Sequence, residues 1–268
     1  MFRLTREVRF AVNLAADEQL DHPTPSNSYG GYPTLTGFGQ YFTVQVTIEG
    51  QPQPSTCYLR NIRDIDQAVR RKLIPAITAS FALAVSGRGS TAGLFPPALF
   101  AVLHDALAPD RLHAITIWLT PFLSISQLAS ERPMTRLSQK FEFCASHRLH
   151  NPRLPDETNR RIYGKCNNPS GHGHNYELQV TLRGTPNDNG LLVDVPAFER
   201  IVKQCVIDRL DHTNLNIDVP EFRDVIPTVE NIAMIIYRML KGRFSGIGAE
   251  LASVTVWETP KTWCEYSE

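Results

Sequence analysis

The stretch of sequence that decides the fold is YGKCNNPSGHGHNY, residues 163–176, with one thiol, a turn and two histidines. The ELQVTL segment that follows alternates in the manner of a β-strand, in which residues two apart lie on one face. His172 and His174 are therefore expected to point the same way, at a spacing that lets two imidazoles share a metal ion. The NPSG segment, residues 168–171, is typical of a turn and is expected to fold Cys166 back towards the histidines.

A third metal ligand is expected upstream, because a catalytic zinc site typically has three protein ligands and an open fourth position. The segment KFEFCASH, residues 140–147, has the pattern of a strand and ends in His147. A His-x-His pair alone is more often incidental than metal-binding. The strand-end histidine and the nearby thiol favour a real site, so we predict that His147, His172 and His174 bind one Zn²⁺.

Further motifs accompany these segments, namely LDHTNL at 210–215, PTVEN at 227–231 and VWET at 256–259. Together with ASH at 145–147 and the GKCNNP and GHGHNY runs, they closely resemble the 6-pyruvoyl-tetrahydropterin synthase family. The likeness covers residues 138–268, and its motifs are highly specific. The first half of the chain does not carry them.

The resemblance implies an α+β T-fold, in which four antiparallel strands and two helices form a unit that assembles into a barrel. It also implies a zinc-dependent lyase that converts 7,8-dihydroneopterin triphosphate to 6-pyruvoyl-tetrahydropterin, with loss of triphosphate and without a redox cofactor. Cys166 would abstract a proton as a thiolate, a form that nearby positive charge stabilises. Asp211 and His212 would exchange protons elsewhere on the substrate. Glu258 would hold the pterin ring through paired hydrogen bonds.

Several of these residues also have simpler explanations. Thr228 is placed to cap a helix, and Glu230 is an acid of its first turn, so a helix start explains both as well as substrate binding does. Asp211 and His212 follow a helix predicted to end at Leu210. Because adjacent side chains do not easily hydrogen-bond to each other when extended, part of this pair is expected to act across a subunit boundary.

The first half of the chain repeats the second half without its chemistry. Residues 29–50 align without a gap onto residues 163–184, and residues 114–121 align onto residues 253–260. Phe38 and Gln40 stand where the second copy has His172 and His174, Tyr32 where it has Cys166, and Leu119 where it has Glu258. An internal repeat predicts tandem units. We expect residues 1–130 to form a T-fold unit without a site, which serves assembly, and residues 131–268 to form the catalytic unit.

Both halves are predicted to run strand, strand, helix, helix, strand. The first half has predicted strands at 8–12, 41–48 and 112–119 and helices at 61–83 and 96–107; the second has strands at 141–147, 176–182 and 251–258 and helices at 196–210 and 230–240. Residues 21–39, rich in Pro, Gly, Ser and Thr, are expected to form a long loop. Pro75 is expected to bend or end the first helix.

The composition suits globular domains, since 42% of the 268 residues are hydrophobic and 20% are charged. The formal net charge of zero disfavours nucleic acid or an anionic membrane as a partner. The charged N-terminus disfavours a signal peptide. Five dispersed cysteines favour reduced thiols and a cytoplasmic location. The family resemblance further implies that the protein forms a homo-oligomer with sites between its units. It also implies a small pterin triphosphate as the substrate.

Other functions stay open at this point. One is a 6-carboxy-tetrahydropterin synthase of deazapurine (queuosine) biosynthesis, although that group usually has a shorter interval between its cysteine and the His-Gly-His pair. Here Cys166 precedes His172 by six residues. Another is an epimerase or a side-chain-cleaving enzyme that acts on a related pterin. A non-catalytic pterin-binding or zinc-binding assembly module is disfavoured, because mere binding does not need Cys166, Asp211 and His212 together.

Overall fold

The computed structural model of the chain describes residues 1–13, 39–85, 96–108, 110–186 and 192–268. The chain divides into two units, Met1–Leu137 with Gly184–Leu192, and Ser138–Arg183 with Val193–Glu268. Each unit combines antiparallel strands with helices, so the predicted α+β class is confirmed. Most of the loop predicted at 21–39, including Tyr32 and Phe38, lies outside the described residues.

Four strands in antiparallel order and two helical segments make up the first unit. The elements are β1 (Phe2–Asn13), β2 (Gly39–Gly50), α1 (Ile62–Ala68), a π-helical turn (Val69–Leu73), α2 (Ile74–Val85), α3 (Pro96–Ala106), β3 (Arg111–Trp118) and β4 (Leu123–Leu128). Each strand pairs with the next, in the order β1-β2-β3-β4. Alternate strand residues such as Val44 and Val46 are fully buried, so one face of this sheet forms the core with the helices.

The first helical segment continues past Pro75. Of the two expected effects of the proline, an end to the helix is therefore wrong, and a bend stays a prediction. Pro75 is the second residue of α2 and directly follows the π-helical turn. In that turn the Ile74 N–H bonds to the Val69 carbonyl, five residues earlier. A proline ring normally clashes with the carbonyl four residues before it. The wider turn shifts the hydrogen-bond register next to the proline, and the helix can continue.

The second unit carries the same kinds of elements in the same order, with additions. They are β5 (Thr135–His147), α4 (Asp156–Tyr163), β6 (His172–Gly184), α5 (Val195–Val202), a π-helical turn (Lys203–Ile207), α6 (Asp208–Leu210), β7 (Thr213–Asn214), α7 (Val229–Leu240), β8 (Glu250–Thr259) and β9 (Thr262–Tyr266). The strand order is β5-β6-β8-β9, and the short β7 pairs in parallel with β5. One face of α7, including Ile232 and Ile236, is buried, and so are Val254 and Val256 of β8.

The two units share local irregularities at matching positions. β2 and β3 pair in the same aligned register as β6 and β8, with a β-bulge after Thr47 in one unit and after Thr181 in the other. The π-helical turns begin at Val69 and Lys203, 134 residues apart, which is also the offset between the two bulges. Bulges and π-helical turns are uncommon, so their recurrence at one offset supports a repeated backbone. The tandem T-fold and its barrel assembly stay predictions.

Four elements were not predicted from the sequence: β4, α4, the two-residue strand β7, and β9. The LSISQL sequence of β4 does alternate apolar and polar residues, which is the strand signal. It is reached by a tight turn in which the Thr120 hydroxyl accepts from the N–H groups of Phe122 and Leu123. β9 pairs antiparallel with β8 and is the fourth strand in the order β5-β6-β8-β9.

Candidate active site

Three histidines from two neighbouring strands come together in the second unit. His147 ends β5, and His172 and His174 are the first and third residues of β6. One ring nitrogen of each lies within 4.8 Å of the others. The His147 Nε2 and His172 Nε2 atoms are 3.2 Å apart, close to the separation of about 3.3 Å between two nitrogens on one tetrahedral zinc. The predicted convergence is confirmed, and this cluster could hold a metal ion.

His147 is the best-defined member of the cluster. Its side chain is fully buried, and Nδ1 lies 2.7 Å from the Pro227 carbonyl. That carbonyl can only accept, so Nδ1 carries the proton and Nε2 keeps its lone pair towards the other histidines. Burial lowers the pKa of His147 to about 4, with smaller contributions from His172 and His174. The ring is therefore neutral at neutral pH, as a metal ligand must be.

Two ring nitrogens in the cluster, His172 Nδ1 and His174 Nε2, are buried and have no hydrogen-bond partner in the described part of the chain. Buried polar atoms are nearly always satisfied, so an unpaired His174 Nε2 beside His147 is accounted for if it binds a metal ion. Burial lowers the pKa of His174 as well, against an opposing effect of Glu258. Neutral nitrogen donors with free lone pairs fit a zinc-type site.

Glu258 enters the site from β8, the strand beside β6. Its Oε1 atom lies 3.4 Å from His147 Nε2 and 3.8 Å from His174 Nε2, and its side chain is 20% exposed. The carboxylate is therefore next to the histidines but still open to a ligand. This agrees with the expected position of Glu258 at the site. Its contact with a pterin ring stays a prediction.

Tyr176 is a site neighbour that sequence reasoning missed. It is fully buried, stacks on Phe143 at 4.9 Å between ring centroids, and places its hydroxyl 3.4 Å from His147 Nδ1. Burial raises the pKa of Tyr176, and Glu258 and Cys166 raise it further. The phenol thus stays protonated beneath the cluster. Its position two residues after His174 on the same strand face was the available signal.

Cys166 lies in a short 3₁₀ turn, Gly164–Asn167. The turn is fixed next to β5, because the Leu149 N–H donates to the Cys166 carbonyl at 2.9 Å. Cys166 is half-buried, and this hydrogen bond brings its backbone next to Leu149, two residues after His147. This agrees with the predicted fold-back of the chain; its role as a base stays a prediction.

The turn predicted before the histidines is confirmed. The Gly171 N–H donates to the Asn168 carbonyl at 2.8 Å. Gly171 has a φ of +72°, and a Cβ there would lie 3.1 Å from the carbonyl oxygen of His147. Both the positive φ and the close approach require glycine. This glycine lets β6 start directly beside the end of β5, which brings His172 to His147.

The side chains of Asp211 and His212 are hydrogen-bonded to each other. This corrects the expectation that these adjacent side chains would not meet. Asp211 Oδ2 lies 2.9 Å from His212 Nδ1. The contact is possible because His212 adopts a φ of +57°, outside the extended backbone that the expectation assumed. Asp211 Oδ1 accepts from the Cys144 N–H at 2.8 Å. That N–H and then His212 lower the pKa of Asp211, so it stays an anion that orients the imidazole.

No contact among the described residues connects Asp211 or His212 to the histidine cluster. The backbone of this pair is tied to β5 instead, since the His212 N–H donates to the Cys144 carbonyl at 2.6 Å. The His212 side chain is 81% exposed. The structure therefore gathers the three histidines and Glu258, ties the Cys166 turn to the segment after β5, and leaves the imidazole of His212 facing solvent.

Thr228 and Glu230 lie at the start of α7. Thr228 is its N-cap and accepts from the Asn231 N–H at 3.4 Å, as predicted. It follows Pro227, whose carbonyl holds His147. Glu230 is an exposed acid of the first turn. No hydrogen bond or ion pair in the described part of the chain joins either side chain to the histidines, so their substrate contacts stay predictions.

The aligned positions of the first unit hold no comparable chemistry. Gln40 stands where the second unit has His174, and its side-chain amide donates to the Leu119 carbonyl at 3.1 Å. Leu119 itself replaces Glu258. Over the described ranges, the three histidines are the only group of three side chains placed to share a metal ion.

An α+β unit in which three histidines converge, one of them fully buried, defines a candidate metalloenzyme. Comparison with known proteins gives the family. The family model described as 6-pyruvoyl tetrahydropterin synthase matches residues 136–268. The 6-pyruvoyl tetrahydrobiopterin synthase of Homo sapiens is 40% identical over 129 residues, 48% of this chain and 88% of that protein. The chain therefore belongs to the 6-pyruvoyl tetrahydropterin synthase family.

Other relatives have similar coverage. The 6-pyruvoyl tetrahydrobiopterin synthase of Drosophila melanogaster is 37% identical, over 51% of this chain and 82% of its own length. The 6-carboxy-5,6,7,8-tetrahydropterin synthase of Haemophilus influenzae is 28% identical, over 50% and 100%. A solved structure of Caenorhabditis elegans 6-pyruvoyl tetrahydropterin synthase is 36% identical, covers 51% of this chain and 96% of that one, and has a TM-score of 0.47.

Proposed function

We propose that this protein is a zinc-dependent 6-pyruvoyl tetrahydropterin synthase. This lyase would convert 7,8-dihydroneopterin triphosphate to 6-pyruvoyl-tetrahydropterin and triphosphate. The observation that carries the proposal is the convergence of His147, His172 and His174, with Glu258 beside them. Relatives with this activity in their names are 37–47% identical to the chain.

Each residue at the cluster has a proposed task that suits its surroundings. The three histidines would hold Zn²⁺, which supplies a Lewis acid that acidifies C–H and O–H groups of the substrate side chain. The Pro227 carbonyl would keep the His147 ring in the ligating tautomer. Cys166 would take a proton from the side chain of the substrate. Glu258 would accept two parallel N–H bonds from the pterin ring and so fix its orientation.

Asp211 and His212 would serve as a proton-exchanging pair in a site formed between subunits. Asp211 is held as an anion by the Cys144 N–H, and it orients an imidazole that is largely exposed. An anchored and accessible imidazole suits general acid-base catalysis. Since its described contacts lead away from the cluster of its own chain, a neighbouring copy is the proposed place of action.

The first unit is proposed to be a second T-fold unit that serves assembly. Its β1 strand ends the order of pairing, and an exposed strand edge needs a partner. We further propose a cytoplasmic homo-oligomer with a small pterin as its substrate. All five cysteines are free, and no helix in the described ranges is long and apolar enough to span a membrane.

Incubation of the purified protein with 7,8-dihydroneopterin triphosphate tests the proposed function. Identification of the product and measurement of released triphosphate are both needed. A 6-pyruvoyl product with triphosphate release is expected. A 6-carboxy product would favour the second enzyme of the family, and a product that keeps its triphosphate would contradict the lyase. Binding of the pterin without any turnover would favour a non-catalytic pterin-binding assembly module.

Replacing Glu258 by glutamine is expected to weaken pterin binding roughly ten- to hundredfold, because one charged acceptor becomes a donor that opposes the ring N–H groups. Pterin affinity can be measured by fluorescence titration. The metal content should stay unchanged, and it must be measured because Glu258 Oε1 lies 3.4 Å from His147 Nε2. Glu250→Gln, at the exposed start of β8, is the control. Unchanged pterin affinity would rule out the anchor role.

Removal of the first unit is expected to change the assembly, although it removes no proposed site residue. A chain that begins near Arg136 should be poorly soluble or should have a different oligomeric state, as measured by sedimentation or light scattering. The full chain should bind one zinc per chain rather than two, because Gln40 and Leu119 replace site residues in the first unit. A fully active and normally assembled fragment would show that the first unit is dispensable.

A further inference from the structure

The first unit contains a cavity of about 560 Å³ on one face of its sheet. Tyr41 and Thr43 of β2 line the cavity and are not buried, whereas Phe42 and Val44, which alternate with them, are buried in the core. Because successive side chains of a strand point to opposite faces, the cavity opens on the face of the sheet away from the core. Its volume lies in the range of pockets that bind small molecules. This face therefore offers room for a small ligand.

The cavity borders the counterpart of the histidine cluster but is a different place. In the second unit, His172 and His174 lie on the core side of β6, since they share the strand face of the buried Tyr176. Gln40, which aligns with His174, also lines the cavity, but its side-chain amide donates to the Leu119 carbonyl at 3.1 Å. The other cavity residues of β2 lie on the opposite face of the strand.

The cavity exists because a short side chain stands between two long ones. Thr43 pairs with Arg9 of β1 on one side and with Trp118 of β3 on the other, and all three line the cavity. Side chains directly opposite each other on paired strands share one face and are close neighbours, so the threonine forms a low floor between the arginine and the tryptophan. Tyr41, two residues earlier on the same face, is 41% exposed. The cavity thus has two aromatic walls and a short floor.

The second unit fills the matching place with its own side chains. Glu177 and Trp257 align with Thr43 and Trp118, and they pair with each other across β6 and β8. Lys140 forms an ion pair with Glu177 at 2.8 Å and places its Nζ atom 4.9 Å from the centre of the Trp257 ring. A threonine cannot form that ion pair, so Thr43 cannot hold a cation over Trp118 in this way. The space at Trp118 is therefore left to a ligand.

The charges in the cavity are balanced internally. Glu7 and Arg9 are the charged side chains among the described wall residues, and the Arg9 Nε atom donates to Glu7 Oε1 at 2.7 Å. Gln45 donates to Glu7 Oε2 at 3.1 Å. A carboxylate has about four lone pairs, so Glu7 can still accept a hydrogen bond from a ligand. Because the two charges cancel, the cavity has no strong field to attract a charged ligand, which favours an uncharged one.

We propose that this cavity binds a flat, uncharged heteroaromatic molecule, with its ring against Trp118 and Tyr41 and a ring N–H donating to Glu7. Aromatic rings pack favourably in offset-stacked or edge-to-face arrangements. An ionised acceptor forms a stronger hydrogen bond than a neutral one. The two kinds of contact together select a flat ring with a polar edge. The first unit would then have a binding site of its own that needs no metal ion, in addition to its proposed role in assembly.

Titration calorimetry with adenine, a flat and uncharged heteroaromatic probe, tests the site on the full-length, zinc-loaded protein. The wild type should bind adenine. Trp118→Leu should weaken this binding roughly tenfold, a typical contribution of an aromatic side chain that stacks on a base. Thr43→Glu should weaken it by a similar factor, because the longer side chain fills the floor and its carboxylate stands opposite Arg9. Trp263→Leu, which replaces an exposed tryptophan of β9 outside the cavity, is the control and should bind adenine like the wild type.

Thermal unfolding identifies the variants that fold, and Thr43→Glu keeps the proposal testable if Trp118→Leu does not fold. Three results would overturn the proposal: no adenine binding by the wild type, unchanged binding in a folded cavity variant, or an equal loss in Trp263→Leu. Binding of tetramethylammonium in preference to adenine would overturn the proposed class of ligand. Both cavity variants should still turn over 7,8-dihydroneopterin triphosphate, so the cavity site and the proposed lyase function can fail separately.

Discussion

Replacing Cys166 by alanine is expected to lower the turnover of 7,8-dihydroneopterin triphosphate by roughly 10²- to 10⁴-fold, the usual contribution of a positioned general base. The thiol belongs to a turn whose backbone is tied to the segment after β5, two residues from His147. The bound zinc should remain, because His147, His172 and His174 already provide three ligands. The loss should therefore fall on kcat.

The measurement needs kcat and metal content from the same preparation. Cys205→Ala is the matched control, since Cys205 is another half-buried free thiol and lies in the π-helical turn Lys203–Ile207. That variant should keep its turnover. If Cys166→Ala also turned over normally, the thiol would not be the base. If it lost zinc, the thiol would be a metal ligand, and the proposed division of roles would be wrong.

The histidine cluster could be predicted because each step needs only local geometry. Period-2 alternation places His172 and His174 on one face of a strand, and a turn before them requires residues that the NPSG segment supplies. His147 was expected from the strand pattern that ends there. The structure adds the partner that no spacing rule gives, the Pro227 carbonyl, which comes from a segment 80 residues away.

The geometry of Asp211 and His212 could not be predicted, because it depends on one backbone angle. An extended backbone separates neighbouring side chains, whereas the φ of +57° at His212 lets its ring reach Asp211. Positive φ is uncommon for residues other than glycine, so sequence gives no warning of it. Here the tertiary contacts of both residues with Cys144 hold the conformation.

A cleft of the second unit, lined by Arg148, Arg153 and Arg223, shows the same limit for residues far apart in sequence. Arg148 and Arg153 lie close to the histidine motif, whereas Arg223 is about 70 residues later, in a segment without a motif. Only the fold brings it to the same walls. The missed strands β4 and β9 are short, and short strands carry few residues from which to detect alternation.

The second large effect is expected from His172→Ala, which should remove the bound zinc and with it the turnover. Loss of a residue that supports a metal ligand typically costs about 10- to 100-fold in metal affinity, and loss of a ligand itself should cost at least as much. His172 suits the test better than His147. The fully buried ring of His147 also satisfies the Pro227 carbonyl, so its removal would disturb the fold as well as the site. His172 is only partly buried at the first position of β6.

Zinc content after dialysis and thermal unfolding together decide the outcome. A ligand that binds only the folded state stabilises it, by about 2.7 kcal/mol at a free concentration of 100 times Kd. Added zinc should therefore raise the unfolding temperature of the wild-type protein but not that of His172→Ala. His104→Ala, an exposed histidine of α3, should respond like the wild type. Full zinc occupancy and an unchanged thermal shift in His172→Ala would contradict the assignment, because the cluster would then bind metal without one of its three proposed ligands.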